Sequence, residues 1–148
     1  AEMWLRACFG LACLAAAAFG EEACAAEGAA NALSEAMRQS AHAYYAAFNR
    51  HDLEALKGFF ALDSELEDKT NGHLRGFDAV VKAHADVLQK APQINFGVTY
   101  VHVSPGTHTA LCELRVQIGG DASRLLRIVD VLEFSRDGSK IKFLRAYD

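Results

Sequence analysis

The chain has no cluster of lysine and arginine. Its 15 basic residues are spread among 19 acidic ones, for a net charge of −4 over 148 residues. Nucleic acid and anionic membrane surfaces both demand a basic footprint, so neither is an expected partner. Cysteine is scarce in the body: Cys8, Cys13 and Cys24 lie near the start, and only Cys112 follows. That pattern offers no disulfide framework and no zinc spacing. There is no HExxH, no glycine-rich phosphate loop and no nucleophile elbow. His42, His51, His73, His102 and His108 show no ligand spacing and are expected at the surface or in structural roles. The acidic run Asp63, Glu65, Glu67, Asp68 lacks the EF-hand pattern. No metal site is therefore expected. Internal repeats are absent as well, and the length suits one domain with a real core rather than two.

The first 25 residues differ from the rest. Met3-Trp4-Leu5-Arg6 is a short start with one positive charge, Ala7 to Gly20 is an apolar run, and Ala23-Cys24-Ala25 reads as an A-x-A cleavage site. The run is short for a membrane span. Residues 1–25 thus read as a signal-like hydrophobic leader, and a cleaved signal places the body outside the cell or in an organelle lumen. Glu2, Glu21 and Glu22 are acidic where such signals are usually neutral or basic. A leader that is retained would pack as a helix on this protein or on a partner in a larger complex.

The body, residues 26–148, begins with helices. Ala26 to Asn49 is rich in alanine and free of proline, with Met37, Ala41, Tyr44 and Phe48 on one stripe at helical spacing. Asp52 is a good N-cap for a second short helix through Phe60, with Glu54 in its first turn. Ser64 to Lys69 alternates weakly, as a short strand, and Asn71-Gly72 marks a turn. Gly76 to Lys90 predicts a third helix, stopped by Pro92. Four strand-like runs follow: Ile94–Ser104, Thr107–Ile118, Arg124–Phe134 and Lys140–Tyr147. Pro105-Gly106, Gly119-Gly120-Asp121 and Asp137-Gly138 break them in hairpin fashion. Helices followed by antiparallel strands imply an α+β domain, with helices on one face of a curved sheet. Cys112 shares a strand face with Leu114 and Val116 and is expected to be a buried thiol.

The third of these strands carries a costly residue. Side chains two apart in a strand share a face, so Asp130 points with Leu126, Ile128, Leu132 and Phe134. A carboxyl on an apolar face either finds a partner or keeps its proton. A partner inside the sheet would be Arg115 or Arg145. A protonated acid in an apolar cavity would instead be a strong hydrogen-bond donor.

Several segments together resemble a known family. Tyr44-Tyr45-Ala46-Ala47-Phe48-Asn49-Arg50-His51-Asp52-Leu53 resembles the first helix and turn of the ketosteroid isomerases. Asp63-Ser64-Glu65-Leu66-Glu67-Asp68 resembles the segment ending in their catalytic base, and Gly76-Phe77-Asp78-Ala79-Val80 the start of their third helix. Val129-Asp130 resembles the strand with their second acid. These enzymes belong, with the SnoaL-like cyclases, to the NTF2-like superfamily, and the resemblance runs from about Leu33 to the C-terminus. It implies an NTF2-like cone: three N-terminal helices packed on a curved antiparallel sheet. By position it implies Tyr44 as an oxyanion-hole phenol, Asp68 as the general base and Asp130 as the protonated acid. Phe48, His84, Leu126, Ile128 and Leu132 would line the substrate pocket. His84 stands where the isomerases often have a tyrosine supporting the catalytic phenol, and it can hydrogen-bond Tyr44. Lys69, where the family tends to have proline, can pair with Asp68 and weaken it as a base. The implied chemistry is a cofactor-free double-bond shift beside a ketone in a hydrophobic small molecule.

Blander readings stand beside this one. Tyr44 can be a core tyrosine with a satisfied hydroxyl, and Asp68 a solvated member of its acidic cluster. At the level of the whole chain the alternatives are a non-catalytic pocket protein and an assembly subunit. A homodimer formed through the sheet is expected in each case.

Overall fold

A computed structural model describes residues 3–119 and 125–147, with side chains from residue 24 onward. The chain divides into two units, residues 1–32 and 33–148. The first is the opening part of helix α1 (Met3–Asn49), which starts well before the Ala26 expected from composition. The signal-like leader falls mostly on residues whose side chains lie outside those described.

In the second unit α1 ends where the sequence predicts, at Asn49, and the ending has a physical cause. His51 takes a left-handed conformation, φ 55°. Its N–H bonds Phe48 O at 2.9 Å, and the Asp52 N–H bonds Ala47 O at 3.0 Å. This pair of bonds satisfies the last carbonyls of the helix. Asp52 then caps α2 (Leu53–Lys57) by accepting from Ala55 N at 2.9 Å.

Two expectations change here. Helix α2 stops at Lys57 rather than Phe60, and strand β1 (Phe60–Asp68) begins directly after it. The alternation in β1 is weak because its register slips between Phe60 and Glu65, leaving Leu62 86% exposed. A short second strand, β2 (Gly72–Arg75), pairs antiparallel with β1 across the Asn71-Gly72 turn. Helix α3 (Phe77–Lys90) follows this hairpin. The three helices are therefore not all N-terminal to the sheet.

Strands β3 (Asn95–Ser104), β4 (Thr109–Gln117), β5 (Leu125–Phe134) and β6 (Ile141–Tyr147) complete a single open sheet in the order β2-β1-β6-β5-β4-β3. All neighbours are antiparallel except β1 and β6. β4 alternates cleanly, with Ala110, Cys112, Leu114 and Val116 all buried. The inner face of the sheet and the buried stripe of α1 form one core, which includes Met37, Tyr45, Val80, Leu132 and Ile141. Two contacts tie α1 to its surroundings. The Asn49 amide donates to Phe96 O at 2.9 Å and accepts from Phe96 N at 2.7 Å, acting as a strand partner for β3. Gly138, at φ 72°, packs against α1 where an added Cβ would lie 2.9 Å from Met37 Cγ. Only glycine suits that turn.

Candidate functional site

Helix α1 presents two adjacent buried tyrosines, and each meets a different polar group. The Tyr44 hydroxyl lies 2.8 Å from His84 Nε2. His84 Nδ1 lies 2.8 Å from the Val80 carbonyl, one turn back on α3. A carbonyl only accepts, so Nδ1 carries the ring proton, Nε2 is the acceptor, and Tyr44 donates to it. Burial lowers the pKa of His84, in keeping with a neutral ring, against the raising effects of the Val80 bond and the Asp68 charge. Burial likewise raises the pKa of the Tyr44 hydroxyl well above its ordinary value, and Asp130 adds to this.

Tyr45 donates to Asp130 Oδ2 at 2.9 Å. Sequence reasoning passed over this residue, although its signal was there: Ala41 and Tyr45 are four apart, on the same stripe as Met37. Asp130 is 4% exposed, and its Oδ1 has no hydrogen-bond partner in the protein. Neither Arg115 nor Arg145, the two possible partners inside the sheet, bonds it. Arg145 bonds Glu133 at 2.6 Å and approaches Glu67 at 3.8 Å. Burial raises the pKa of Asp130 to about 7, the Tyr45 bond opposes the rise, and the Asp68 charge adds to it. Beside it on β4, burial pushes the Cys112 thiol up to about 12, as the buried-thiol reading requires.

Asp68 ends β1 at the rim. Its Oδ1 accepts from Thr70 N at 2.7 Å and Asn71 N at 2.6 Å, and its Oδ2 from Asn71 Nδ2 at 2.7 Å. The carboxylate thus holds the β1–β2 turn as well as facing the site.

These groups meet at one cavity of about 120 Å³. Of the expected residues, Tyr44, Asp68, Asp130, Phe48, His84 and Ile128 line it, joined by Leu66, Phe96 and Leu144. Two do not. Leu126 shares the parity of Asp130 but is 46% exposed, near the start of β5. Leu132 is fully buried in the core and does not line the cavity. No cluster of metal-ligating side chains occurs among the described residues.

The family model for the SnoaL-like domain matches residues 41–143. The fold is shared with solved structures of low identity. A candidate ketosteroid isomerase from Kribbella flavida DSM 17836 superposes with a TM-score of 0.62 at 18% identity, covering 76% of this chain and 82% of that one. SalBIII, an epoxide hydrolase/cyclase-like enzyme of pyran ring formation in the polyether salinomycin, gives 0.64 at 17% identity, with 75% and 88% covered. A SnoaL-like protein of unknown function from Burkholderia thailandensis E264 gives 0.65 at 18%, with 76% and 94% covered. No curated protein matches the sequence.

Proposed function

We propose that this chain, which belongs to the SnoaL-like domain family of NTF2-like proteins, is a cofactor-free acid–base enzyme that shifts a double bond beside a ketone. The observation that carries the reading is Asp130: a buried carboxyl with one unused oxygen, in the wall of a mostly apolar cavity that also contains Asp68. A pKa near neutrality lets such a group hold a proton for donation or release it. In the forward step the Asp68 carboxylate takes a proton from the carbon between carbonyl and alkene. Protonated Asp130 donates a hydrogen bond to the enolate oxygen as charge builds there. Asp68 then returns its proton one double bond along, so the carbon skeleton gains and loses nothing. Tyr44 joins the oxyanion contact only when a proton on His84 Nε2 reverses their hydrogen bond and frees the phenol hydrogen. With His84 neutral, Asp130 is the donor that serves the enolate.

The test is isomerisation of a β,γ-unsaturated ketone, followed by the ultraviolet absorbance of the conjugated enone. The full chain is compared with Asp68→Asn and Asp130→Asn. Loss of about 10²-fold or more in kcat for Asp68→Asn is the expected outcome for a general base. Unchanged turnover in that variant rejects Asp68 as the base.

One observation favours a second reading, a pocket that binds without turnover. Three donors of the β1–β2 turn are directed at Asp68, and the Tyr44 proton is committed to His84. Binding of a hydrophobic small molecule that survives Asp68→Asn, without enone formation, would select it. The expected homodimer through the sheet draws support from Tyr100, Leu111, Leu125 and Tyr147, all exposed. Sedimentation equilibrium tests it.

A further inference from the structure

The hydrogen-bonding sense of the cavity points to a class of ligand that a ketone site alone does not require. Once Asp130 is ionised, its buried carboxylate and the Tyr44 oxygen are both acceptors toward a ligand. Tyr44 spends its only hydrogen on His84, which leaves oxygen lone pairs. Asp130 takes one hydrogen from Tyr45 at Oδ2 and keeps Oδ1 unused. The rim adds a second carboxylate, Asp68. Among the described residues lining the cavity there is no lysine or arginine, and burial lowers the pKa of the one histidine, His84, against the raising effect of its bond to Val80. The walls include the aromatic rings of Tyr44, Phe48 and Phe96. Two carboxylates, aromatic walls and no cation make a place where a negative ligand is repelled and a positive one is compensated. Size narrows the class further: at about 120 Å³ the cavity is comparable to protein cavities of roughly 150 Å³ that hold one benzene-sized molecule.

We propose that this cavity binds a compact organic cation, an alkylammonium group of about five or six heavy atoms, with the Asp130 carboxyl as its counter-ion and the aromatic walls around its alkyl part. The proposal rests on the cavity of the preceding section being a ligand site, but not on its being catalytic. An ammonium supplies hydrogens to the ionised Asp130 carboxylate and to the Tyr44 oxygen, and it removes the cost of an unpaired buried carboxylate. The groups that act on Asp130 are Tyr44 and Tyr45 from α1, Asp68 from β1 and Cys112 from β4. Both tyrosines and the cysteine are held protonated by burial, so the proton linked to cation binding is that of Asp130.

The probes are tert-butylammonium, its neutral isostere tert-butanol and the anion pivalate, titrated into the full chain and followed by amide NMR shifts. The expected order is the ammonium at least about tenfold tighter than the alcohol, with pivalate not bound. Ammonium affinity should rise with pH by about tenfold per unit until Asp130 is ionised, near pH 7, and then level off. This pH dependence is read on the unmodified protein and needs no variant. In Asp130→Asn, which keeps the size of the side chain, the ammonium should fall to the affinity of the alcohol. Equal binding of alcohol and ammonium, affinity independent of pH between 5 and 8, or preferential binding of pivalate overturns the proposal. The two readings separate cleanly. Ammonium binding without enone formation leaves this inference standing and removes the isomerase, whereas enone formation that tert-butylammonium fails to inhibit does the reverse.

Discussion

Asp68 and Asp130 are the two carboxylates of one cavity, and they are held in opposite ways. Asp68 sits on the rim, half-buried, with three donors from the turn that follows it. Asp130 sits in the middle of β5, buried, with one donor and one bare oxygen. The same functional group is thus surrounded by hydrogen-bond donors at one end of the site and poised between two protonation forms at the other. Environment separates them: the turn supplies donors at the rim, while burial opposes the charge of Asp130.

The largest expected effect tests the buried end. Folding raises the pKa of Asp130 from 3.8 to about 7, so the folded state binds its proton more tightly than the unfolded chain. Its contribution is fully present below pH 4 and is lost as pH rises toward 7, by up to about 4 kcal/mol. Asp130→Asn should remove that loss, leaving a variant more stable than the parent at pH 8 and close to it at pH 4, by urea unfolding. His84 works in the other direction, since its folded pKa lies below 6.5 and stability falls as pH drops beneath that value. Parallel pH profiles for parent and variant would show that Asp130 is compensated by something other than Tyr45.

The two tyrosines sharpen the contrast next. Tyr45→Phe takes away the single donor of Asp130 and should cost roughly 2–3 kcal/mol at pH 8. It should also move the Asp130 carboxyl titration upward in ¹³C NMR, because that bond favours the charged form. Tyr44→Phe should cost roughly 1–2 kcal/mol by leaving His84 Nε2 bare, with a smaller effect on Asp130. At the rim, Asp68→Asn should cost about 1 kcal/mol through the turn and lower the Asp130 pKa, since the Asp68 charge helps to raise it. The smallest effect lies away from both carboxylates. His51→Gly relieves a left-handed residue at the end of α1 and should stabilise by about 0.5–1 kcal/mol in thermal unfolding, with the Asp130 titration unmoved.

Much of the fold is legible residue by residue. The end of α1, the Asp52 cap, the start of α3 and the four long strands all follow from local rules that neighbours along the chain satisfy among themselves. The first strand is harder to see, since a register slip interrupts its alternation and its charged residues look like a solvated loop. Pairing is harder still. Nothing within β1 or β6 announces that these two run parallel while every other pair is antiparallel.

The candidate site divides along the same line. Strand parity places Asp130 on the inner face, and helical spacing places Tyr44, Phe48 and Tyr45 on the buried stripe of α1. Those are properties of a repeating backbone, and any chain with this pattern has them. Which inner-face residues a helix covers is a matter of where the elements end against one another. Leu126 lies open and Leu132 lies sealed although both share the parity of Asp130. The sequence by itself determined the elements, their faces and the presence of a carboxyl on an apolar one. Only the tertiary structure decided that Tyr45 binds this carboxyl while Tyr44 turns to His84. A hydrogen bond between residues 85 apart in the chain depends on the packing of α1 against β5, and no local rule encodes that distance.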